Sequence, residues 1–294
     1  MIRTVNNIHK KAGALNQWFA RYLSGMKDTD LILVMDADST LNPDFIENAL
    51  RYIKEGFHAV GGVFLGKEGG GFVGMLQRNE YARYARDVKR MKGKTLVLTG
   101  TATLFTAKCL KDVVKGRECG KIPGTGETSY VYDIKALTED NELTFALRHL
   151  GYGIIAPEEC GLKTEVMNTW GDLYRQRFRW KRGAIENNAH YGLTRVTWPY
   201  WARQFWSLIG VLVMLVYVGS MAYSFAIGEV HLHPIWIAVT LIFILQQAVT
   251  VARRGPTQVL LAMLLVIEMP YDIYLQLVHG RAFLASCIRS TAKW

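Results

Sequence analysis

Cysteine is scarce in this sequence of 294 residues, and the four cysteines that occur form no recognisable site. Zinc sites and disulfide frameworks depend on characteristic cysteine spacing, often with histidine nearby. Neither a CxxC pair nor a neighbouring histidine set is found at the four positions, Cys109, Cys119, Cys160 and Cys287. The sequence therefore predicts neither a zinc site nor a disulfide framework, and a reducing cytosolic face is the default environment.

Acidic residues are fewer than basic ones, 25 against 35, which leaves a formal net charge of +10. A surplus of this sign suits nucleic acid, a phosphorylated substrate or an anionic membrane surface. The chain has no nucleic-acid recognition motif, and many of its basic residues flank an apolar second half. We therefore expect a lipid bilayer and a phosphate-bearing substrate as partners, and no nucleic acid.

Internal repeats are absent as well, and the two parts of the chain differ in kind. Up to about Tyr200 the sequence is mixed, charged and rich in glycine. Long apolar stretches follow at residues 205–227, 235–252 and 259–278. The first two have the length and lack of charge that a membrane-spanning helix needs. The third contains two acidic residues and a proline, so we expect it to be broken, to be re-entrant or to line a cavity.

A basic, aromatic-rich segment at residues 169–188 precedes the apolar stretches. A helix of this composition commonly lies in the interfacial plane of a bilayer. The pair Arg253-Arg254 lies on a connector between two apolar stretches. Because cytoplasmic loops carry an excess of Lys and Arg, we expect an integral membrane protein whose first part lies on the cytoplasmic side.

Strand and helix patterns alternate through the first part of the chain. Apolar runs predict strands at residues 31–35, 58–65, 95–105 and 152–156, and helical spacing predicts helices at 45–55, 77–91 and 139–150. The segment HKKAGALN near the start predicts a loop that leads into a helix. Alternation of this kind is typical of an α/β fold with a mainly parallel sheet.

The strand at residues 31–35 runs directly into Asp-Ala-Asp-Ser-Thr, which puts Asp36 and Asp38 at its carboxyl end. Open α/β sheets bind ligands at that edge. One interpretation is that the carboxylates hold Mg²⁺ or Mn²⁺ against the diphosphate of a nucleotide sugar. A second is a phosphatase of the haloacid-dehalogenase type, in which Asp36 attacks phosphorus and Asp38 is the general acid. The third is a capped, solvated strand end.

Two further motifs each allow a structural and a functional interpretation. Thr138-Glu139-Asp140 opens a helix, where the helix dipole favours acidic residues. Alternatively, a carboxylate there removes a proton from an acceptor hydroxyl. The motif QRFRW, from Gln176 to Trp180, suits an interfacial basic helix. Its functional interpretation combines an arginine that neutralises a leaving diphosphate with a tryptophan that stacks on a sugar ring.

The order and approximate spacing of these motifs resemble those of membrane-embedded inverting glycosyltransferases of family 2, the relatives of cellulose, chitin, hyaluronan and poly-N-acetylglucosamine synthases. The likeness runs from about His9 to the C-terminus. It rests on KAGALN, DAD, the Gly100-Thr101 break in a strand, TED and QRFRW, followed by apolar helices. The resemblance implies a partial GT-A-like, Rossmann-like domain, followed by an interfacial helix and C-terminal transmembrane helices.

The resemblance also implies roles for single residues in donor binding. Lys11 would line the nucleotide pocket and Asp36 would contact the nucleotide sugar, which in this family is commonly UDP-linked. Asp38 would bind the Mg²⁺ or Mn²⁺ ion. The residues implied to face the diphosphate are Gln176, Arg177 and Arg179.

A second group of implied roles concerns the acceptor. Asp140 would be the catalytic base, with Glu139 as its supporting neighbour. Gly100 and Thr101 match the turn beside the acceptor, and Trp180 would contact the acceptor sugar. In such enzymes the acceptor hydroxyl attacks the anomeric carbon directly while the base takes its proton, so the configuration inverts.

For the domains we expect an incomplete GT-A-like catalytic domain at residues 1–165, interface helices carrying QRFRW at 166–200 and a membrane region with two to three transmembrane helices at 201–294. Family members usually carry a nucleotide-binding segment that here would lie before Met1. On this expectation the chain is a fragment, a second polypeptide supplies the N-terminal half, or nucleotide binding has been lost.

The leading hypothesis is therefore a membrane-bound glycosyltransferase. It would transfer a sugar with inversion from a UDP-sugar to a glycan or lipid-linked acceptor at the cytoplasmic face. The phosphatase is one alternative, and it leaves TED and QRFRW unexplained. An inactive, membrane-anchored remnant or subunit is the other.

Overall fold

The computed structural model describes residues 3–124, 130–228 and 234–288. The chain divides into two compact units, each of which contains several chain segments. The first comprises residues 1–67, 87–165 and 183–201, and the second comprises 68–86, 166–182 and 202–294. The predicted division at residues 165 and 200 stays a prediction.

The described helices are numbered along the chain. They are α1 (Lys10–Tyr22), α2 (Phe45–Lys54), α3 (Gly71–Arg90), α4 (Ala107–Glu118), α5 (Glu139–His149), α6 (Trp170–Tyr191), α7 (Trp198–Ile227), α8 (Pro234–Val251), α9 (Pro256–Met263) and α10 (Leu265–Cys287). The strands are β1 (Leu31–Met35), β2 (Thr40–Leu41), β3 (Ala59–Gly61), β4 (Val63–Gly66), β5 (Ala102–Thr106), β6 (Ile154–Ile155) and β7 (Gly161–Thr164). The helices predicted at residues 45–55 and 139–150 are confirmed as α2 and α5.

The main sheet of the first unit has four strands in the order β1-β5-β3-β6. Strands β1 and β3 both run antiparallel to β5, and only β3 and β6 pair in parallel. The prediction of a mainly parallel sheet is therefore wrong, and the sheet is mixed. Strand β5 lies between β1 and β3 and runs opposite to both. It starts at Ala102 opposite Met35, the last residue of β1, and ends at Thr106 opposite Leu31, the first.

Apolar side chains cover both faces of this sheet. Ile32, Val34 and Phe105 belong to a core with helices α1, α4 and α5. The alternate residues Leu33 and Leu104 belong to a second core with α2. Because neighbouring residues of a strand point to opposite faces, β1 needs apolar residues at nearly every position. The apolar run at residues 31–35 thus ends at an edge of a sheet that is buried on both faces.

A smaller sheet in the first unit has the order β2-β7-β4. Strand β7 pairs antiparallel with β2 and parallel with β4. The single strand predicted at residues 58–65 is in fact two strands, since β3 joins the main sheet and β4 joins the smaller one. The break falls at Gly62, whose N–H donates to the carbonyl of Ala102.

The second unit is helical in its described residues. Its core includes Val73, Leu76, Leu173, Leu261 and Tyr271, which come from α3, α6, α9 and α10. The third predicted apolar stretch corresponds to α9 and α10, and it is broken near Leu264, where the two helices bend by 71°. Helix α10 continues through its internal proline.

Among the described residues, α7 is the one unbroken helix that is long and apolar enough to cross a bilayer. Its most apolar window has a mean hydropathy of 2.0, and only 6% of that window is buried in the protein. The bent pair α9–α10 would be a second candidate if it is counted as one span. The number of transmembrane helices stays a prediction.

Candidate active site

The ammonium group of Lys11 is the centre of a polar cluster in the first unit. Its Nζ lies 2.5 Å from Oδ1 of Asp36 and 3.0 Å from the carbonyl oxygen of Gly100. It is 3.8 Å from Oε1 of Glu139. The structure therefore brings three sequence-predicted site residues, from segments far apart along the chain, to the ammonium group of a fourth.

Lys11 is positioned by a helix rather than by the predicted loop. Helix α1 begins at Lys10, which places Lys11 in its first turn. The residues before the helix fold back on it and pass close to Gly13. A Cβ on Gly13 would lie only 2.2 Å from Oδ1 of Asn7. Gly13 indicated a loop in the sequence, but here it allows close approach of the chain to the helix. The side chain of Lys11 is about one-third exposed.

The Gly100 turn is fixed against Asp36 and Asp140 by the pairing of β1 with β5. The N–H of Asp36 donates to the carbonyl oxygen of Thr101 at 3.0 Å, one step beyond the last strand pair. The N–H of Gly100 donates to Oδ2 of Asp140 at 2.9 Å. A Cβ on Gly100 would lie 3.2 Å from Nζ of Lys11 and 3.3 Å from the same Oδ2. Any side chain here would press on both charged groups.

Asp140 lies in the first turn of α5, beside Glu139. Its Oδ1 accepts a hydrogen bond from the N–H of Asn141 at 2.8 Å, in addition to the bond that Oδ2 accepts from Gly100. The carboxylate is therefore held by two backbone N–H groups from different segments. This fixes its direction at a helix N-terminus, where negative charge is favoured. The structural and functional interpretations of TED are thus compatible.

Asp38 follows β1 and is exposed. Its Oδ1 lies 3.3 Å from the hydroxyl of Ser39 and 3.4 Å from that of Thr164. Its main-chain carbonyl accepts a hydrogen bond from Nζ of Lys67 at 2.5 Å. The carboxylate thus faces solvent at the carboxyl end of β1, close to hydroxyl oxygens.

These oxygen donors fit a hard divalent cation that keeps most of its ligands from water and substrate. Within the described ranges, no three His, Cys, Asp or Glu residues stand close enough together to form a protein-only metal cage. Mg²⁺ sites commonly use only one or two carboxylates, with waters and phosphate oxygens as the other ligands. Asp38 fits this pattern, whereas Asp36 is already paired with Lys11.

Tyr132 is a component of the cluster that no sequence motif indicated. It is buried and lines a small hollow together with Val34, Gly100 and Asp140. Burial raises the pKa of its phenol, and the negative charges of Glu139, Asp140 and Asp36 raise it further. The backbone of Tyr132 is clamped by Asn16, which accepts from its N–H at 2.9 Å and donates to its carbonyl at 2.8 Å. A neutral phenol thus lies close to the acidic residues.

The QRFRW residues are on α6, in the part of that helix that belongs to the second unit. Arg177 is only 3% exposed. Its Nη2 and Nε lie 2.8 and 3.2 Å from the two carboxylate oxygens of Glu80. The guanidinium also lies 4.5 Å from the ring centroid of Trp180, and it donates a short hydrogen bond to the side chain of Gln176.

Glu80 is shared with another helix, since the hydroxyl of Tyr271 donates to its Oε2 at 2.6 Å. Burial by itself would raise the pKa of Glu80. The charge and hydrogen bonds of Arg177, the hydrogen bond from Tyr271 and the charge of Arg83 together outweigh burial, so the pKa is lowered. Glu80 on α3 therefore links Arg177 on α6 with Tyr271 on α10, and these contacts favour a structural role for Arg177. Diphosphate contacts of Gln176, Arg177 and Arg179, and acceptor contact of Trp180, stay predictions.

The chain resembles known proteins in both sequence and fold. Residues 31–251 match the family model described as glycosyl transferase family group 2. The poly-beta-1,6-N-acetyl-D-glucosamine synthase of Staphylococcus aureus (strain COL) is 27% identical over 224 residues, which are 71% of this chain and 48% of that protein. Its Staphylococcus epidermidis counterpart is 28% identical over 198 residues, 64% of this chain and 41% of that protein. The chain thus spans about half the length of these curated relatives.

A solved structure shares the fold at low sequence identity. A mannosyltransferase from Pyrobaculum calidifontis, solved in complex with GDP-Man and Mn²⁺, aligns with a TM-score of 0.58 and 14% identity. The alignment covers 99% of this chain and 70% of the other. This likeness confirms the predicted GT-A-like fold.

Proposed function

Since this chain belongs to glycosyl transferase family group 2, we propose that it transfers a sugar from a nucleotide sugar to a hydroxyl of an acceptor. One observation carries the proposal: the ammonium of Lys11 contacts Asp36, Gly100 and Glu139, and the same Gly100 binds Asp140. The family pattern assigns Lys11 and Asp36 to the donor, Gly100 to the turn beside the acceptor, and Asp140 with its neighbour Glu139 to the base. A solvated strand end would need no such convergence.

The donor in this proposal is a nucleoside diphosphate sugar, most simply a UDP-sugar. Asp38 has the chemistry to bind Mg²⁺ or Mn²⁺, and such an ion, when bound, supplies positive charge to the diphosphate. Lys11 supplies a second positive charge beside Asp36. The structural neighbour was solved with GDP-Man and Mn²⁺, which supports a metal-dependent nucleotide-sugar donor.

Asp140 is the proposed base. The acceptor oxygen forms a bond to the anomeric carbon while the bond from that carbon to the diphosphate oxygen breaks, and the departing nucleoside diphosphate takes the electron pair. The acceptor attacks from the face opposite the leaving diphosphate, so the configuration inverts. The hydroxyl proton passes to the carboxylate of Asp140. The N–H groups of Gly100 and Asn141 hold the carboxylate in place for this transfer.

The acceptor we propose is a growing glycan or a lipid-linked sugar. The Staphylococcus relatives are named for synthesis of a glycan, and aromatic faces such as that of Trp180 stack on sugar rings. Helix α7 presents a long apolar surface that suits a bilayer. We therefore propose an integral membrane protein. The basic connector Arg253-Arg254 supports a cytoplasmic side for the part of the chain that carries the Lys11 cluster.

The test is release of nucleoside diphosphate by the full chain, purified in detergent with Mn²⁺. UDP-N-acetylglucosamine is the first donor, because N-acetylglucosamine is the unit of the relatives' product, and GDP-mannose is the second. We expect Asp140→Asn to lower turnover by about 100-fold or more, as loss of a general base does. The matched control is Asp44→Asn, an exposed carboxylate of the same unit, which should leave turnover unchanged.

Two other outcomes would contradict the proposal. Hydrolysis of aryl phosphates that is lost in Asp36→Asn would instead support the phosphatase hypothesis. Absence of UDP and GDP binding by calorimetry, even with excess Mn²⁺, would support an inactive remnant or subunit.

A further inference from the structure

The threonine before α5 does not cap its helix in the usual way. Thr138 is the N-cap residue of α5, with φ −133° and ψ 89°, and its side chain accepts no hydrogen bond from the helix backbone. A threonine in this position normally accepts from a free N–H of the first turn. The hydroxyl of Thr138 is instead 3.2 Å from the amide nitrogen of Asn187, on α6. The hydroxyl of Thr138 thus contacts α6 instead of capping α5.

Asn187 makes more than one contact with this turn. It is only 4% exposed. Its Nδ2 also lies 3.1 Å from the carbonyl oxygen of Thr138 and 2.9 Å from Oδ1 of Asn141. The backbone N–H of Asn141 is one of the two groups that hold the carboxylate of Asp140. One buried amide therefore contacts residues on both sides of the proposed base.

Gly183 lies one turn before Asn187 on the same face of α6. A Cβ on Gly183 would lie 2.4 Å from Oγ1, 2.7 Å from Cγ2 and 3.0 Å from Cβ of Thr138. Contacts this short do not occur, so a side chain at Gly183 would force Thr138 to move. The helix thus approaches the turn as closely as the backbone allows.

From these contacts we propose that Gly183 and Asn187 are positioning residues for the reaction. Gly183 lets α6 pack directly on Thr138, and Asn187 binds Thr138 and Asn141. Together they fix the first turn of α5 and thereby the direction of the Asp140 carboxylate. The inference rests on the proposed function, because Asp140 is the proposed base. It adds two residues that touch neither donor nor acceptor but determine where the base points.

The first experiment replaces the amide. Asn187→Ala should lower kcat by about 10-fold or more, since displacement of a catalytic group by an ångström can cost up to 100-fold. KM for the nucleotide sugar should stay within about 2-fold, because donor residues are untouched. The matched control is Asn188→Ala: Asn188 is equally buried, and neither its Oδ1 nor its Nδ2 has a hydrogen-bond partner among the described residues. It should keep its kcat.

A second experiment tests the steric contact by rescue. Gly183→Ala should lower kcat about 10-fold in the otherwise unchanged protein. In a Thr138→Ala background the same substitution should cost at least 3-fold less, because two of the three short contacts are then gone. Equal losses in both backgrounds would overturn the proposed contact, whatever the folding stability of the variants.

A third measurement does not depend on catalysis. Amide hydrogen exchange at residues 139–142 should be at least about 10-fold faster in Asn187→Ala than in the parent protein and should be unchanged in Asn188→Ala. Unchanged exchange in Asn187→Ala would overturn the positioning role even if no donor is turned over. If the parent protein is active and Asn187→Ala keeps its kcat, the inference fails while the proposed function stands.

Discussion

The positive charge of Lys11 lies between carboxylates and a carbonyl oxygen, and it offsets the negative charge of the cluster. Asp36 and Glu139 both lie within 4 Å of its Nζ. Gly100 connects Asp140 to the same cluster, because its N–H donates to Asp140 and its carbonyl accepts from Lys11. Attraction between opposite charges at these distances holds the ammonium group against the two carboxylates. The residue that appeared in the sequence as part of a basic loop is thus the electrostatic partner of the acidic motifs.

Gly100 offers a sharp test of this arrangement. Gly100→Ala would place a methyl group 3.2 Å from Nζ of Lys11 and 3.3 Å from Oδ2 of Asp140, so one of the charged groups must shift by a few tenths of an ångström. We expect turnover to fall about 10-fold. Thermal unfolding should change little, since the turn is only partly buried.

The control for that substitution is Gly25→Ala, because no atom lies within 4 Å of a Cβ at Gly25. Its turnover should match that of the parent protein. A Gly100→Ala variant with full turnover would mean that the close packing of Lys11, Gly100 and Asp140 has no part in catalysis.

Motif residues were predictable from the sequence, but their tertiary partners were not. Asp36, Asp38 and Asp140 follow strand or helix boundaries that local patterns indicate. Tyr132 and Asn187 have no such signal, because each acts through residues about 50 to 120 positions away. A buried tyrosine or asparagine becomes informative only when its neighbours are known.

Helix starts could be predicted from the local sequence, whereas the direction of a strand depends on residues far away in the chain. The start of α2 at Phe45 after Asn-Pro-Asp, and the start of α5 at Glu139, were predicted because capping and periodicity are local. The direction of β5 was not, because no pattern within residues 102–106 says which neighbour the strand will join. That direction is decided by pairing with β1, about 70 residues earlier.

The Arg177–Glu80 ion pair should contribute to the stability of the packing between α6 and α3. Arg177→Met leaves the partly buried carboxylate of Glu80 without its ion-pair partner, so stability should fall by about 3 kcal/mol. The double variant Arg177→Met with Glu80→Met removes both charges and should lose less than the single one. Thermal unfolding in detergent measures both.

The matched control on the same helix is Arg175→Met. Arg175 pairs with Asp172 at the surface, where both side chains are well exposed, and such pairs add little to stability. Its melting temperature should stay close to that of the parent protein. If Arg177→Met melts like Arg175→Met, the buried pair is not what holds the helices of the second unit together.

The protein combines a polar cluster with the helix α7, most of whose apolar window is not covered by other described residues. We expect the protein to remain in the membrane fraction after alkaline extraction. Val213→Arg, in the middle of α7, should reduce that fraction, because an arginine near the centre of a span costs about 2.5–3.5 kcal/mol. Ile46→Arg, an exposed position on α2, is the control and should not change it.

A parent protein found in the soluble fraction without detergent would contradict the membrane assignment. It would leave the chemistry of the Lys11 cluster untouched, because that cluster consists of residues of the first unit alone. The two proposals can therefore fail separately.

The span of chain between Lys11 and Asp140 has a consequence for biosynthesis. Ribosomes release a polypeptide from its N-terminus, so Lys11 and Asp36 emerge long before Gly100 and Glu139, which complete the surroundings of the ammonium group. Strand β1 must likewise wait for β5 before its edge is fixed. A nascent chain halted before residue 140 would carry Lys11, Asp36 and Asp38 yet lack both the proposed base and the QRFRW segment.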